Sequence, residues 1–460
     1  MGKFDLCFVF FFFLCFPLLH GRSLRSLLSS GGTKDGTEQW GYVEVRPKAH
    51  MFWWLYLSPN RVENGSTPWP TVLWLQGGPG ASGVGFGNFK EIGPLDTNLN
   101  PRNSTWLQKA NLLFVDNPVG TGYSYVEDSN SYVTTDEEAA TDLTALLKKL
   151  YNNNQMLQKS TLYAVAESYG GRFAVTLALS VSKAIKAGEL KLNFSGIALG
   201  DSWISPEDFV LSWGPLLRDV SRLDINGEAQ SNNLAKKIQE QIANGQYSDA
   251  TGTWRELESV ISENSNSVNF YNFLLDDSEA IVASTTGTSV RKTIEKYSMN
   301  LISSKPSSSA GSIDDLMNGA VRDKLKIIPK NVIWEEESGN VFSSLENDFM
   351  KPRINEVDEL LSMGVDVTVY NGQVDLICAT KGVEAWVQKL KWEGLQKFNN
   401  AERSPLYCGN DGVTAAFKKS YKNLHFYWIL GAGHFVPVEQ PCVALKMIGE
   451  ITQSPAKASS

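Results

Sequence analysis

The sequence predicts an α/β fold: a mostly parallel central sheet flanked by helices, interrupted by an inserted, mainly helical cap. Two observations predict it. Short apolar runs alternate with amphipathic segments of helical spacing up to about residue 200, as expected for strands covered by crossover helices. The alternation breaks from 201 to 350 and resumes from 351 to 460. Composition agrees, because 460 residues that are 42% hydrophobic and 20% charged can bury a large core. Disordered, collagen-like and coiled-coil chains are thereby excluded.

Each element follows from its residues. Lys3 precedes an apolar run from Leu6 to Leu19, too short for a ~30 Å bilayer core but suited to a secretory signal. Residues 1–22 are therefore expected to be a cleaved signal peptide, 23–200 the first part of the core, 201–350 the cap and 351–460 the second part. No later apolar run is long enough to span a membrane. Tyr42 to Arg46 and the aromatic Met51 to Leu57 read as a hairpin, and Thr71 to Leu75 and Asn111 to Asp116 as buried strands. A helix begins at Thr135 or Asp136 and shows Leu143, Leu146, Leu147 and Leu150 on one face. Thr161 to Ala166 reads as strand, Phe173 to Ala187 as helix and Phe194 to Leu199 as strand. The cap carries Ser-rich pieces at Ser284 to Ser289 and Ser303 to Ser312, expected as mobile loops. Val365 to Tyr370 and His425 to Leu430 are the last strands, each followed by a glycine turn.

Charge and scarcity bound the chemistry. A net charge of −8 without a basic, aromatic-interleaved cluster argues against nucleic acid as a partner. Beyond the signal only His50, His425 and His434, and Cys378, Cys408 and Cys442, remain. Three cysteines allow at most one disulfide, and their spacing offers no zinc site, so neither metal nor cofactor is expected. Secretory routing makes Asn64, Asn103 and Asn193 candidate glycan acceptors, the last ranked lower because a buried strand follows it.

Gly78-x-Gly80-x-x-Gly83 formally matches a dinucleotide fingerprint after a strand. The residues beyond it are not expected to open a helix, and neither Glu91 nor Asp96 sits where a ribose-binding acid belongs. The better reading is a turn with backbone N–H groups aimed into a site. Ala166-Glu167-Ser168-Tyr169-Gly170-Gly171 lies between a strand and a helix, the setting of a nucleophile elbow, with Ala166 in place of the usual first glycine. His50 comes too early for the chain order Ser, acid, His, and His425 lies inside a strand. His434, on a glycine turn past the last strand, is the candidate base. Asp375 follows a strand's carboxyl end, whereas Asp358 reads as helix surface and Asp366 lies at the wrong edge. Ser168, Asp375 and His434 thus stand in the order of α/β-hydrolases, with the N–H groups of Gly78 and Tyr169 as oxyanion donors.

The segments Trp74 to Gly80, Val115 to Ser124, Glu167 to Gly171, Tyr370 to Asp375 and Gly431 to His434 together resemble the serine carboxypeptidase family, specifically its divergent, retinoid-inducible type. The resemblance implies release of a single C-terminal residue from peptide or protein C-termini at acidic pH, in a secreted or vacuolar-lysosomal compartment. It implies that Glu167 and Gln76, helped by Trp74 and the Gly77 N–H, bind the substrate carboxylate. It also implies a free Cys378, leaving Cys408 and Cys442 as the pair. Three departures stand out. Gln76 replaces the family's Asn, Ala166 its glycine, and Ala81 a disulfide cysteine, so the cap is expected to hold by packing and glycans. An acyltransferase using acyl-glucose and a silent binding protein are the alternatives, and oligomeric state, a homodimer included, stays open.

Overall fold

A computed structural model describes residues 30–61, 69–277, 312–409 and 412–455. The expected signal peptide, Asn64 and nearly all of the Ser-rich pieces lie outside these residues. The described residues form a twelve-stranded sheet: β1 (Ser30–Gly32), β2 (Glu38–Arg46), β3 (Ala49–Tyr56), β4 (Thr71–Leu75), β5 (Asn111–Val115), β6 (Tyr125–Val126), β7 (Leu162–Glu167), β8 (Phe194–Gly200), β9 (Asp366–Gly372), β10 (Ser404–Tyr407), β11 (Thr414–Tyr421) and β12 (Leu424–Ile429). Their order is β1-β2-β3-β5-β4-β7-β8-β9-β12-β11-β10, with β6 on β3. The six central strands from β5 to β12 are mutually parallel, and both flanks are antiparallel.

Sequence explains the central strands. Every residue of β4, β5 and β7 is buried, as befits parallel strands covered on both faces. The coverings are helices α1 (Asp136–Tyr151) and α2 (Gly170–Lys186). Thr135 caps α1 by accepting from the Glu138 N–H, and three acids in the first turn suit the positive helix end. Leu143, Leu146 and Leu147 are fully buried while Leu150 packs at the margin of the same core.

Between β8 and β9 the chain runs through α3 (Pro206–Asp219), α4 (Ile225–Ala243), α5 (Tyr247–Ser265), α6 (Gly339–Phe349) and α7 (Ile354–Ser362), yet β8 and β9 pair directly. Buried charge ties these helices to the sheet side. Arg172 on α2 and Arg353 before α7, both wholly buried, share Asp136 at 2.8 and 3.0 Å and Asp348 at 3.2 and 2.9 Å.

One expectation fails, and one strand pair went unread. Residues Gly83–Ile92 do form a helix, a wholly buried π-helix capped by Ser82. Its amide end is already filled, since Val84 N–H donates to Asp116 Oδ1 at 3.1 Å, so no phosphate cradle results. The antiparallel pair β10–β11 escaped the sequence reading because β11 lies near the sheet edge and carries Lys418, Lys419 and Ser420.

Candidate active site

Three parallel strands of the central sheet, β7, β9 and β12, deliver the site at their carboxyl ends, where α/β sheets place ligands. Ser168 follows β7, Asp375 follows β9 and His434 follows β12. Ser168 takes the left-handed conformation at φ +59°, which costs energy for a side-chain-bearing residue and must be held by its surroundings. Hydrogen bonds hold it: its N–H donates to Gly200 O at 3.0 Å, and its carbonyl accepts from Gly171 and Trp203. Close approach fixes the neighbouring glycines. A Cβ on Gly77 would lie 2.6 Å from Ser168 Cβ, and one on Gly170 would lie 2.1 Å from Leu75 O.

His434 and Asp375 meet as the elimination of other histidines anticipates. Asp375 Oδ2 lies 2.9 Å from His434 Nδ1, with both side chains buried, and the other oxygen accepts from Cys378 N–H at 3.3 Å. His434 N–H donates to Tyr271 O at 2.8 Å, fixing the turn. The other histidines are engaged elsewhere. His50 pairs with Glu127 at 2.8 Å. His425 meets Ser420 Oγ at 2.9 Å, and burial with the nearby Lys418 lowers its pKa to about 4. Asp358 accepts from the N–H groups of Lys391 and Trp392 and Asp366 opens β9, so neither reaches the imidazole.

Asp375, Cys378 and His434 also cluster tightly enough to suggest a metal site. The donor set fits one poorly. Burial and the Asp375 charge push the Cys378 thiol well up, and a coordinating sulfur must be a thiolate.

Gly78, at φ +103°, lies on the loop whose Gly77 touches the elbow, and its N–H and that of Tyr169 have no partner among the described residues. The same loop begins a buried polar chain. Trp74 Nε1 donates to Gln76 Oε1 at 2.6 Å, and Gln76 Nε2 donates to Glu167 Oε1 at 2.9 Å and to Glu91 Oε1 at 3.0 Å. All four side chains are buried. Burial lifts the Glu91 pKa to about 7, while burial and the Glu91 charge push Glu167 well above the carboxylate range. Two carboxyls that compete for one donor in an apolar setting hold protons far more strongly than in water. Glu91 is the residue that sequence reasoning missed: it sits on the unforeseen π-helix, and a lone acid between Lys90 and Ile92 gives no motif.

Residues 30–454 match the family model for serine carboxypeptidase. The chain belongs to the serine carboxypeptidase family. Among its relatives, serine carboxypeptidase-like 51 of Arabidopsis thaliana is 63% identical, over 92% of this chain and 93% of that one. The retinoid-inducible serine carboxypeptidase of Rattus norvegicus is 48% identical, over 97% and 98% respectively. A prohormone-processing carboxypeptidase from Saccharomyces cerevisiae, at 23% identity, shares the fold with a TM-score of 0.74 over 90% of this chain and 91% of its own.

As the family resemblance implies, Cys408 and Cys442 form a disulfide and Cys378 is free and buried. Where the family has a cysteine, Ala81 is held by backbone pairing with Glu337, and Ser82 N–H donates to Glu336 O at 2.9 Å. Among the described residues no helix is long and apolar enough to cross a membrane. Asn103 and Asn193 are exposed; the strand after Asn193 leaves its side chain accessible, with Nδ2 donating to Thr161 Oγ1 at 2.8 Å.

Proposed function

We propose that this protein removes single C-terminal residues from peptides in an acidic compartment of the secretory pathway, by an acyl-enzyme mechanism. Ser168 attacks the terminal peptide carbonyl while His434 takes its proton, and Asp375 orients the imidazole and stabilises the imidazolium. The Gly78 and Tyr169 N–H groups receive the oxyanion, an interaction of about 2.7–4 kcal/mol per donor in comparable sites. His434 then protonates the leaving amine, and water repeats the sequence to free the acyl chain.

The observation that carries this reading is the buried Trp74–Gln76–Glu167–Glu91 chain beside the elbow. A neutral carboxylic acid can donate to a substrate carboxylate, whereas an ionised one repels it. Trp74, Gln76, Glu167 and the Gly77 N–H thus bind the terminal carboxylate, with Glu91 added to the set. Segment 201–350 acts as the cap over the pocket for the residue preceding the scissile bond, residues 1–22 as the secretory signal, and Asn64, Asn103 and Asn193 as glycan acceptors.

Blocked dipeptides offered from pH 4 to pH 8, beside an acyl-glucose with an alcohol acceptor, test the reading. Release of the free terminal amino acid, fastest at acid pH, is expected. Turnover confined to the acyl-glucose, or no turnover at all, overturns it.

A further inference from the structure

A second carboxyl lies behind the proposed triad. Asp201 directly follows β8, takes φ +42° and is wholly buried. Short polar side chains tolerate this left-handed region better than most. Its N–H donates to Tyr370 O at 2.9 Å, and its Oδ1 accepts from Gly372 N–H at 2.7 Å. Oδ2 is buried and meets no donor among the described residues. Gly372 links this carboxyl to Asp375, whose N–H donates to the Gly372 carbonyl at 3.3 Å.

Two carboxylates cannot face each other in a buried site without a proton or a cation between them. The groups around Asp201 are Asp375 and Cys378 beyond β9, Tyr370 on β9, Glu167 at the end of β7 and Glu439 beyond β12. None is a cation. We propose that Asp201 is a positioning residue of the triad: anchored by Gly372, its Oδ2–H donates to the Asp375 carboxylate and holds it against His434. This rests on the triad reading of Ser168, Asp375 and His434.

Two further observations agree. Burial and the Asp375 charge push the Asp201 carboxyl well above the usual range, which favours its protonated form. Asp375 already accepts from His434 Nδ1 and Cys378 N–H, and the Asp201 donor would be its third, within its acceptor capacity. Each donor spreads the negative charge that would otherwise stabilise the imidazolium. Loss of the Asp201 donor would leave that charge concentrated on Asp375, facing the imidazolium.

The test is the pH profile of Ser168 labelling by a fluorophosphonate, run beside peptide hydrolysis on the full chain. Labelling needs the base but no peptide recognition. For Asp201→Ala the acid limb is expected to move up by about one pH unit, a tenfold slower labelling at pH 5. Asp201→Asn restores a donor to Asp375 and an acceptor for Gly372, and is expected to recover the wild-type limb. If Asp201→Ala fails to fold, Asp201→Asn decides alone: an ionised Asp201 would make that substitution speed labelling at pH 5 severalfold, which overturns the inference. Identical profiles for Asp201→Ala and wild type overturn it too. Wild-type labelling without peptide release refutes the peptidase reading and leaves this test standing, whereas no wild-type labelling refutes the triad and Asp201's role with it.

Discussion

Glu91→Gln removes the carboxyl whose titration near pH 7 controls the proposed substrate clamp. Below pH 7 Glu91 is neutral, and the pocket accepts a terminal carboxylate without adding charge. Above it, the neutral fraction falls tenfold per pH unit, so at pH 8 about one pocket in ten can bind. The wild-type kcat/KM for a blocked dipeptide should therefore fall about tenfold between pH 6 and pH 8. The same dipeptide as its C-terminal amide, which brings no charge, should show no such fall. Glutamine at position 91 stays neutral throughout and keeps a partner for Gln76, and burial still raises the Glu167 carboxyl above its ordinary range. The variant should lose about threefold at pH 5 and exceed wild type by about threefold at pH 8. A Glu91→Gln enzyme with the same alkaline fall as wild type refutes the assignment of that limb to Glu91.

Stability should also depend on pH, and its sign follows from the same groups. Burial raises Glu91 from 4.5 to about 7 and Asp116 from 3.8 to about 6, so the folded chain holds protons that the unfolded chain releases. Their contribution is complete below about pH 4 and is lost as pH rises through 6 and 7, roughly 3 kcal/mol for each group. Urea midpoints should be lower at pH 7.5 than at pH 4.5, and a higher midpoint at pH 7.5 contradicts this. Asp136→Ala leaves Arg172 and Arg353 buried with one fewer carboxylate and frees the Tyr169 hydroxyl from its 2.8 Å partner. Urea unfolding should register a loss of about 3–5 kcal/mol, and a loss below 1 kcal/mol shows that the cluster is not held as described.

How much was legible depended on which physical effect dominated locally. Thr71 to Leu75 was found to the residue because burial on both faces writes a continuous apolar run. The hairpin of β2 and β3 was visible through its aromatic residues. The helix Gly83–Ile92 was not, since its first five positions read Gly-Val-Gly-Phe-Gly and its stability comes from complete burial, which propensity does not encode. Scarcity of histidine made His434 legible by elimination, and the structure sets its ring against Asp375. Glu91, Asp201, Arg172 and Arg353 stayed hidden for one shared reason. Charged residues are expected at the surface, and only tertiary contact reveals which are buried and paired.

The central claim is that Ser168 is the nucleophile of a carboxypeptidase. Single-turnover mass spectrometry of wild type and Ser168→Ala, each mixed at pH 5 with a blocked dipeptide ester and then with the dipeptide, tests it most directly. The account predicts an acyl adduct on the Ser168 peptide in wild type, release of one terminal amino acid, and a rate lower by up to about 10⁶ in Ser168→Ala. An adduct on another residue, or undiminished release by Ser168→Ala, contradicts it.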